Sequence, residues 1–141
     1  MTVVNTKRAW LGAVLGWVVW AAWSSFTNLV LLMPRYAAAQ KAGTILQLPR
    51  YPFFVPAWFV MLFVLALACA WLYAGVRATR GAGPGTALRV GVVVGFASGF
   101  PLAFSLAAWA TFPRVIALWW MLDLWVGAIL ATLAAGWLYR D

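Results

Sequence analysis

Four long apolar runs, separated by short polar links, occupy almost the whole chain. They cover 10–33, 52–76, 88–112 and 115–138, each at or above the roughly 20 residues a helix needs to cross a hydrocarbon core. The links are too short to fold on their own, so the bilayer is the solvent this pattern requires. The pattern predicts an all-α protein, one integral membrane domain over 1–141 built as a four-transmembrane-helix antiparallel bundle.

The links carry their own signals. Pro34 is expected to stop the first helix, and the following 35–50 segment is the one connection of any size. Its Ala-rich start favours helix, while Gly43 and Pro49 interrupt it. Two readings stay open there: a short interfacial helix with Ile45, Leu46 and Leu48 dipped into the membrane, or a solvated loop. Pro52 and Pro56 fit the first turn of the second helix, where the N–H groups have no helical partner anyway. The 80–86 link, RGAGPGT, is glycine-rich, but it lacks the Lys-Ser/Thr of a phosphate-cradling loop and follows no strand, so it reads as a tight hairpin. Pro113 and Arg114 make the shortest link, which forces the third and fourth helices to be antiparallel neighbours.

Composition sharpens this picture mainly by exclusion. Apolar residues are 67% of the chain and charged residues 9%, the balance of a membrane protein. There is no His, one Cys (Cys69) and only two carboxylates, Asp123 and Asp141. A His-bearing or carboxylate-rich metal site therefore lacks its ligands, and so does a His-ligated haem, so neither metal nor cofactor is expected. The net charge of +8 would suggest nucleic acid in a soluble chain, but here the cations sit at helix ends, as membrane proteins place them. Nucleic acid is not an expected partner; the lipid bilayer is. Lys7, Arg8, Arg77, Arg80, Arg89 and Arg140 fall on one side, against Arg35, Lys41, Arg50 and Arg114 on the other. The positive-inside rule then places both termini in the cytoplasm. The first run is too long and too tryptophan-rich for a signal peptide and reads as an uncleaved helix. Tyr36, Tyr51, Trp58, Trp109 and Phe112 mark the outer interface, and Trp71, Tyr73, Trp137 and Tyr139 the inner one.

Small residues at four-residue spacing let helix backbones approach closely in lipid. Such stripes are Gly12 and Gly16; Ala66, Ala70 and Ala74; Gly91, Gly95 and Gly99; and Gly127, Ala131 and Ala135. They suffice for a compact bundle, and the excess on the third helix offers a seat for a partner chain, so a homo-oligomer or other membrane subunits are expected.

Asp123 is the most informative single residue. An ionisable group within a span costs about 2.5–3.5 kcal/mol on insertion scales and seldom faces lipid. Trp119 and Trp120 lie one turn before it and Gly127 one turn after, which points it inward. At a rise of about 1.5 Å per residue it lies ~12 Å below the outer boundary. Ser24, Thr27 and Asn28 share a face of the first helix at similar depth, and Ser105 on the third is about level. These residues form either a polar pocket walled by tryptophan, where Asp123 and Asn28 meet a ligand or pass on a proton, or a hydrogen-bond cluster that fixes helix register, with Asp123 alternatively paired to Arg35, Arg50 or Arg114.

Two sets of motifs carry a family likeness. Ser24-Ser25-Phe26-Thr27-Asn28-Leu29 followed by Leu31-Leu32-Met33-Pro34-Arg35-Tyr36, with Trp71-Leu72-Tyr73-Ala74-Gly75 and Leu88-Arg89-Val90-Gly91, resembles an uncharacterised family of small four-helix bacterial integral membrane proteins. That resemblance implies a multi-pass protein of the bacterial inner membrane, and no activity or site residue. The 52–73 stretch faintly resembles the proline- and tryptophan-rich helix of the tryptophan-rich sensory (translocator) family. That family's five helices and further aromatic and Asn motifs are missing here, so its porphyrin- and sterol-binding role is not implied.

The expectation is therefore a small membrane protein without enzymatic activity, an accessory or packing subunit of a membrane assembly. The alternative is a small-ligand or lipid binder, or a minimal transporter, with its pocket around Asp123 and Asn28.

Overall fold

Asn5 starts the first helix by accepting a hydrogen bond from the Arg8 N–H at 3.1 Å, which satisfies one of the free donors of the opening turn. From there the computed structural model, which describes residues 4–139, runs through α1 (Thr6–Phe26), a π-helical segment (Thr27–Leu32) and α2 (Met33–Lys41) without a break. The remaining helices are α3 (Phe54–Arg80), α4 (Pro84–Trp109) and α5 (Arg114–Leu138). Four spans are long and apolar enough to cross a membrane, the first being the continuous Thr6–Lys41. Arg140, counted above for orientation, and Asp141 lie outside the described residues.

Pro34 does not end the first helix, contrary to expectation. A proline lacks the N–H that would bond four residues back, and its ring crowds that carbonyl. The π-helical segment directly before it, with its wider turn, takes up both problems. The helix therefore continues for two more turns and ends at Lys41. The 42–53 stretch that follows is a series of turns. Ile45 packs back onto the cluster of Leu32, Ala39 and Ile116, while Leu46 and Leu48 are exposed.

Helix α5 is the centre of the bundle and packs against α1, α3 and α4; the α4–α5 seam, closed by the short 110–113 link, is the most extensive. The glycine stripes make these seams. A Cβ on Gly91 would lie 2.6 Å from the Ile129 Cα, one on Gly95 2.8 Å from the Trp125 Cα, and one on Gly99 3.1 Å from the Met121 carbonyl oxygen. On α1, Gly12 faces Ala135 and Gly16 faces Ala131 in the same way. Gly127 makes room for the indole of Trp20, which is wholly buried. The stripe on α4 is thus used inside the chain, against α5.

Several aromatics assigned to interfaces turn inward instead. Tyr73 is buried against Tyr139, and its hydroxyl accepts from the Gly83 N–H at 3.2 Å, which ties down the hairpin between α3 and α4. Gly81 and Gly83 supply the positive φ angles, 82° and 136°, that this three-residue link requires.

Candidate functional site

Ser24, in the last turn of α1, and Asn28, in the π segment, are four residues apart and share a face. The Asn28 Nδ2 donates back to the Ser24 carbonyl at 2.9 Å, which fixes the amide. From this position Asn28 Nδ2 donates to Asp123 Oδ2 at 3.2 Å, and Ser24 Oγ donates to the same oxygen at 2.8 Å. Trp58 of α3 donates its indole N–H to Ser24 Oγ at 3.1 Å. Tyr36 of α2 donates its hydroxyl to Asn28 Oδ1 at 2.6 Å and accepts from Trp120 Nε1 at 2.6 Å. Trp23 Nε1 donates to the Asp123 backbone carbonyl at 3.2 Å.

The direction of this network is set by its ends. An indole N–H can only donate, so Tyr36 must spend its one hydroxyl proton on Asn28, and Ser24 must spend its own on Asp123. Reversing the Asn28 amide would set its oxygen against both the Ser24 carbonyl and the Asp123 carboxylate, so the chemistry permits only the orientation seen. Two donor chains, Trp58 through Ser24 and Trp120 through Tyr36 and Asn28, end on Asp123 Oδ2, while the second Asn28 proton stays on the Ser24 carbonyl.

Asp123 itself is 1% exposed, and its Oδ1 has no hydrogen-bond partner among the described residues. None of the outer-rim arginines proposed as partners pairs with it. Arg35 donates to the Leu31 carbonyl at 2.8 Å, and Arg50 and Arg114 are exposed.

The π segment is what brings Tyr36 into this group. A residue advances about 100° around an α-helix, so two residues eight apart stand about 80° from each other. A π turn inserts one extra residue, which makes Asn28 and Tyr36 equivalent to seven helical steps and returns them to within about 20°. Sequence reasoning placed Tyr36 and Trp58 at the outer interface and so missed both. The one usable signal was the spacing from Asn28 to Tyr36, and it works only if the helix is known to pass through Pro34.

A cavity of about 750 Å³ lies against the network, toward the 42–53 turns. Ser24, Asn28, Tyr36, Trp58 and Trp120 form its polar end. Leu29, Leu46, Leu48, Phe54 and Val55 line it on one side, and Leu102, Ala103 and Leu106 of α4 on another. It lies at the end of the bundle that carries the 42–53 turns, and its walls Leu29, Leu48 and Leu102 are themselves exposed, so it opens toward the surroundings of the bundle. Asp123 does not line the cavity. It stands behind Ser24 and Asn28, so a ligand there would meet those two and not the carboxylate.

The other expected members are placed differently. Thr27 is fully buried, and its hydroxyl has no partner among the described residues. Trp119 packs with Leu32, Ala39 and Ile116 rather than on the network. Ser105 is exposed and donates to the Pro101 carbonyl of its own helix at 2.8 Å; contrary to expectation it is not level with Asp123, because the contacts of Gly91 with Ile129, Gly95 with Trp125 and Gly99 with Met121 set a register that carries it toward Val115. The mid-membrane tryptophans Trp17 and Trp125 donate to the backbone carbonyls of Phe59 and Val92, which makes them ties between helices. Cys69 is buried within the core.

This is a small, helical, multi-pass membrane protein with a buried polar network of Asp123, Asn28 and Ser24. No family model, curated protein or solved structure matches the chain, so neither family resemblance drawn from its motifs gains a match in support.

Proposed function

We propose that the chain is a membrane-embedded binder of a small amphiphile, with no catalytic role. The observation that carries this reading is the cavity: about 750 Å³ with mostly apolar walls and one organised polar end. Ligand sites are typically roughly 300–1,000 Å³, apolar, with a few placed polar groups. The fit to catalysis is poor, because Asp123 is the one carboxylate among the described residues and is walled off from the cavity. An accessory role has less behind it, since the glycine stripe that offered a seat for a partner is occupied by α5.

The test fills the cavity. Ala103→Phe adds a ring at its wall, and the purified variant is compared with the parent by native mass spectrometry from mild detergent. Loss of a retained small molecule with an unchanged melting temperature is expected. Equal retention by both proteins would end this reading.

We also infer that both termini are cytoplasmic, supported by the cation asymmetry. In the bacterial inner membrane this places Gln47 outside and Ala82 inside; both are exposed. Labelling of Ala82→Cys, but not Gln47→Cys, by a membrane-impermeant maleimide from the external face would reverse the orientation.

A further inference from the structure

We propose that the ligand is a hydrogen-bond donor carrying positive charge, an alkylammonium-type amphiphile, which rests on the cavity being a ligand site. At the polar end the donors of the network are already spent. The Trp58 N–H goes to Ser24, the Ser24 O–H to Asp123, and the Asn28 NH₂ to Asp123 and to the Ser24 carbonyl. The Tyr36 O–H goes to Asn28, and the Trp120 N–H to Tyr36. No proton of these five side chains is left for a guest. What remains toward the cavity is acceptor capacity: Asn28 Oδ1 takes one donor of the two it can hold, and so does the Tyr36 oxygen. A ligand with only acceptors, such as a carboxylate, would lose its hydration and meet lone pairs.

Charge points the same way. Asp123 lies directly behind Ser24 and Asn28, and it is the one carboxylate among the described residues. Its field in a low-dielectric bundle favours a cation at the polar end. With their N–H groups spent, Trp58 and Trp120 offer that end only ring surface, which also attracts cations.

Five polar lining groups lie outside this network: Ser25, Gln40, Arg50, Tyr51 and Ser98. Gln40 spends its NH₂ on the Leu46 and Gln47 carbonyls and Ser98 its hydroxyl on the Gly95 carbonyl. The Ser25 and Tyr51 hydroxyls can turn to donate or accept, and so select for neither. Arg50, exposed and lining the cavity from the 42–53 turns, is the group that would favour an anion instead.

The experiment uses the full chain in nanodiscs of phosphatidylcholine. A dodecylamine bearing a diazirine at its tail is photo-crosslinked and the labelled residues are mapped. Its labelling is then competed with dodecylammonium, dodecanol and dodecanoate. Labelling of the Leu46, Leu102 or Leu106 region is expected, with dodecylammonium competing at concentrations about tenfold lower than dodecanoate, the scale of one charge-assisted hydrogen bond. Asp123→Asn should erase that preference, and Arg50→Gln should leave it intact. Equal or stronger competition by dodecanoate, lost in Arg50→Gln, would overturn the cationic assignment while the cavity remains a ligand site. Absence of cross-links to any cavity-lining residue would overturn the cavity reading itself.

Discussion

The two ends of this bundle solve the same packing problem in opposite ways. Toward the 81–83 link, helices close on small residues: Ala13, Ala70 and Ala135 form one buried cluster, and Ala9, Ala74 and Ala87 pack around Tyr73 in another. Toward the 42–53 turns, large polar-edged side chains take over. Trp23, Trp58, Trp120 and Tyr36 span the gaps between helices through hydrogen bonds, and a cavity remains beside them. Close backbone contact leaves the smaller space, about 430 Å³ beside Tyr73 and Tyr139; a network of long side chains holds helices apart and leaves the larger one, about 750 Å³, with an organised wall.

The sharpest way to break this contrast is to put bulk into the tight seam. Gly91→Leu would drive a side chain into the Ile129 backbone, which α5 cannot escape without leaving α4. The expected cost is about 3 kcal/mol, at the upper end of overpacking effects, read as a lower midpoint in SDS-induced unfolding. Because the stripe is used internally, this is a loss of fold rather than of association. A stable variant that had merely lost an oligomeric state would show that the stripe faces a partner.

Removing the hub of the polar half should cost less. Asp123→Leu strands the Ser24 hydroxyl and one Asn28 N–H in a buried place, worth about 1–3 kcal/mol of stability. The sign decides the matter, since a gain in melting temperature in detergent would mean that the carboxylate is a burden and organises nothing.

Tyr36→Phe deletes the link between Trp120 and Asn28, for about 1 kcal/mol. Combined with Trp120→Phe in a double-mutant cycle, it should show coupling between the two sites. Strict additivity would mean that the helix does not carry Tyr36 past Pro34 to this position. At the bottom of the scale, Ser105→Ala should change stability by less than about 0.5 kcal/mol, because its hydroxyl serves only its own exposed helix face. A larger loss in the same SDS titration would place Ser105 in the network after all.

The hydrophobic pattern alone determined that this chain is a four-helix membrane bundle, because only a helix satisfies its backbone within a single apolar run. It also brought out the residues that matter most on α1 and α5. Ser24, Asn28 and Asp123 share a depth, and a buried carboxylate needs donors, so their meeting was legible from spacing and cost together. The tertiary structure alone decided the rest. Trp58 joins from α3, and no one-dimensional pattern relates it to Ser24 across 34 residues of sequence. Tyr36 joins because a π segment absorbs Pro34 and shifts the helical phase by one residue, where local propensity argues for a helix end. The glycine stripe of α4 was visible as a stripe, yet which helix fills it depends on how four spans are arranged in the membrane. The cavity has no sequence signature at all, since an absence of atoms is a property of how surfaces fail to meet.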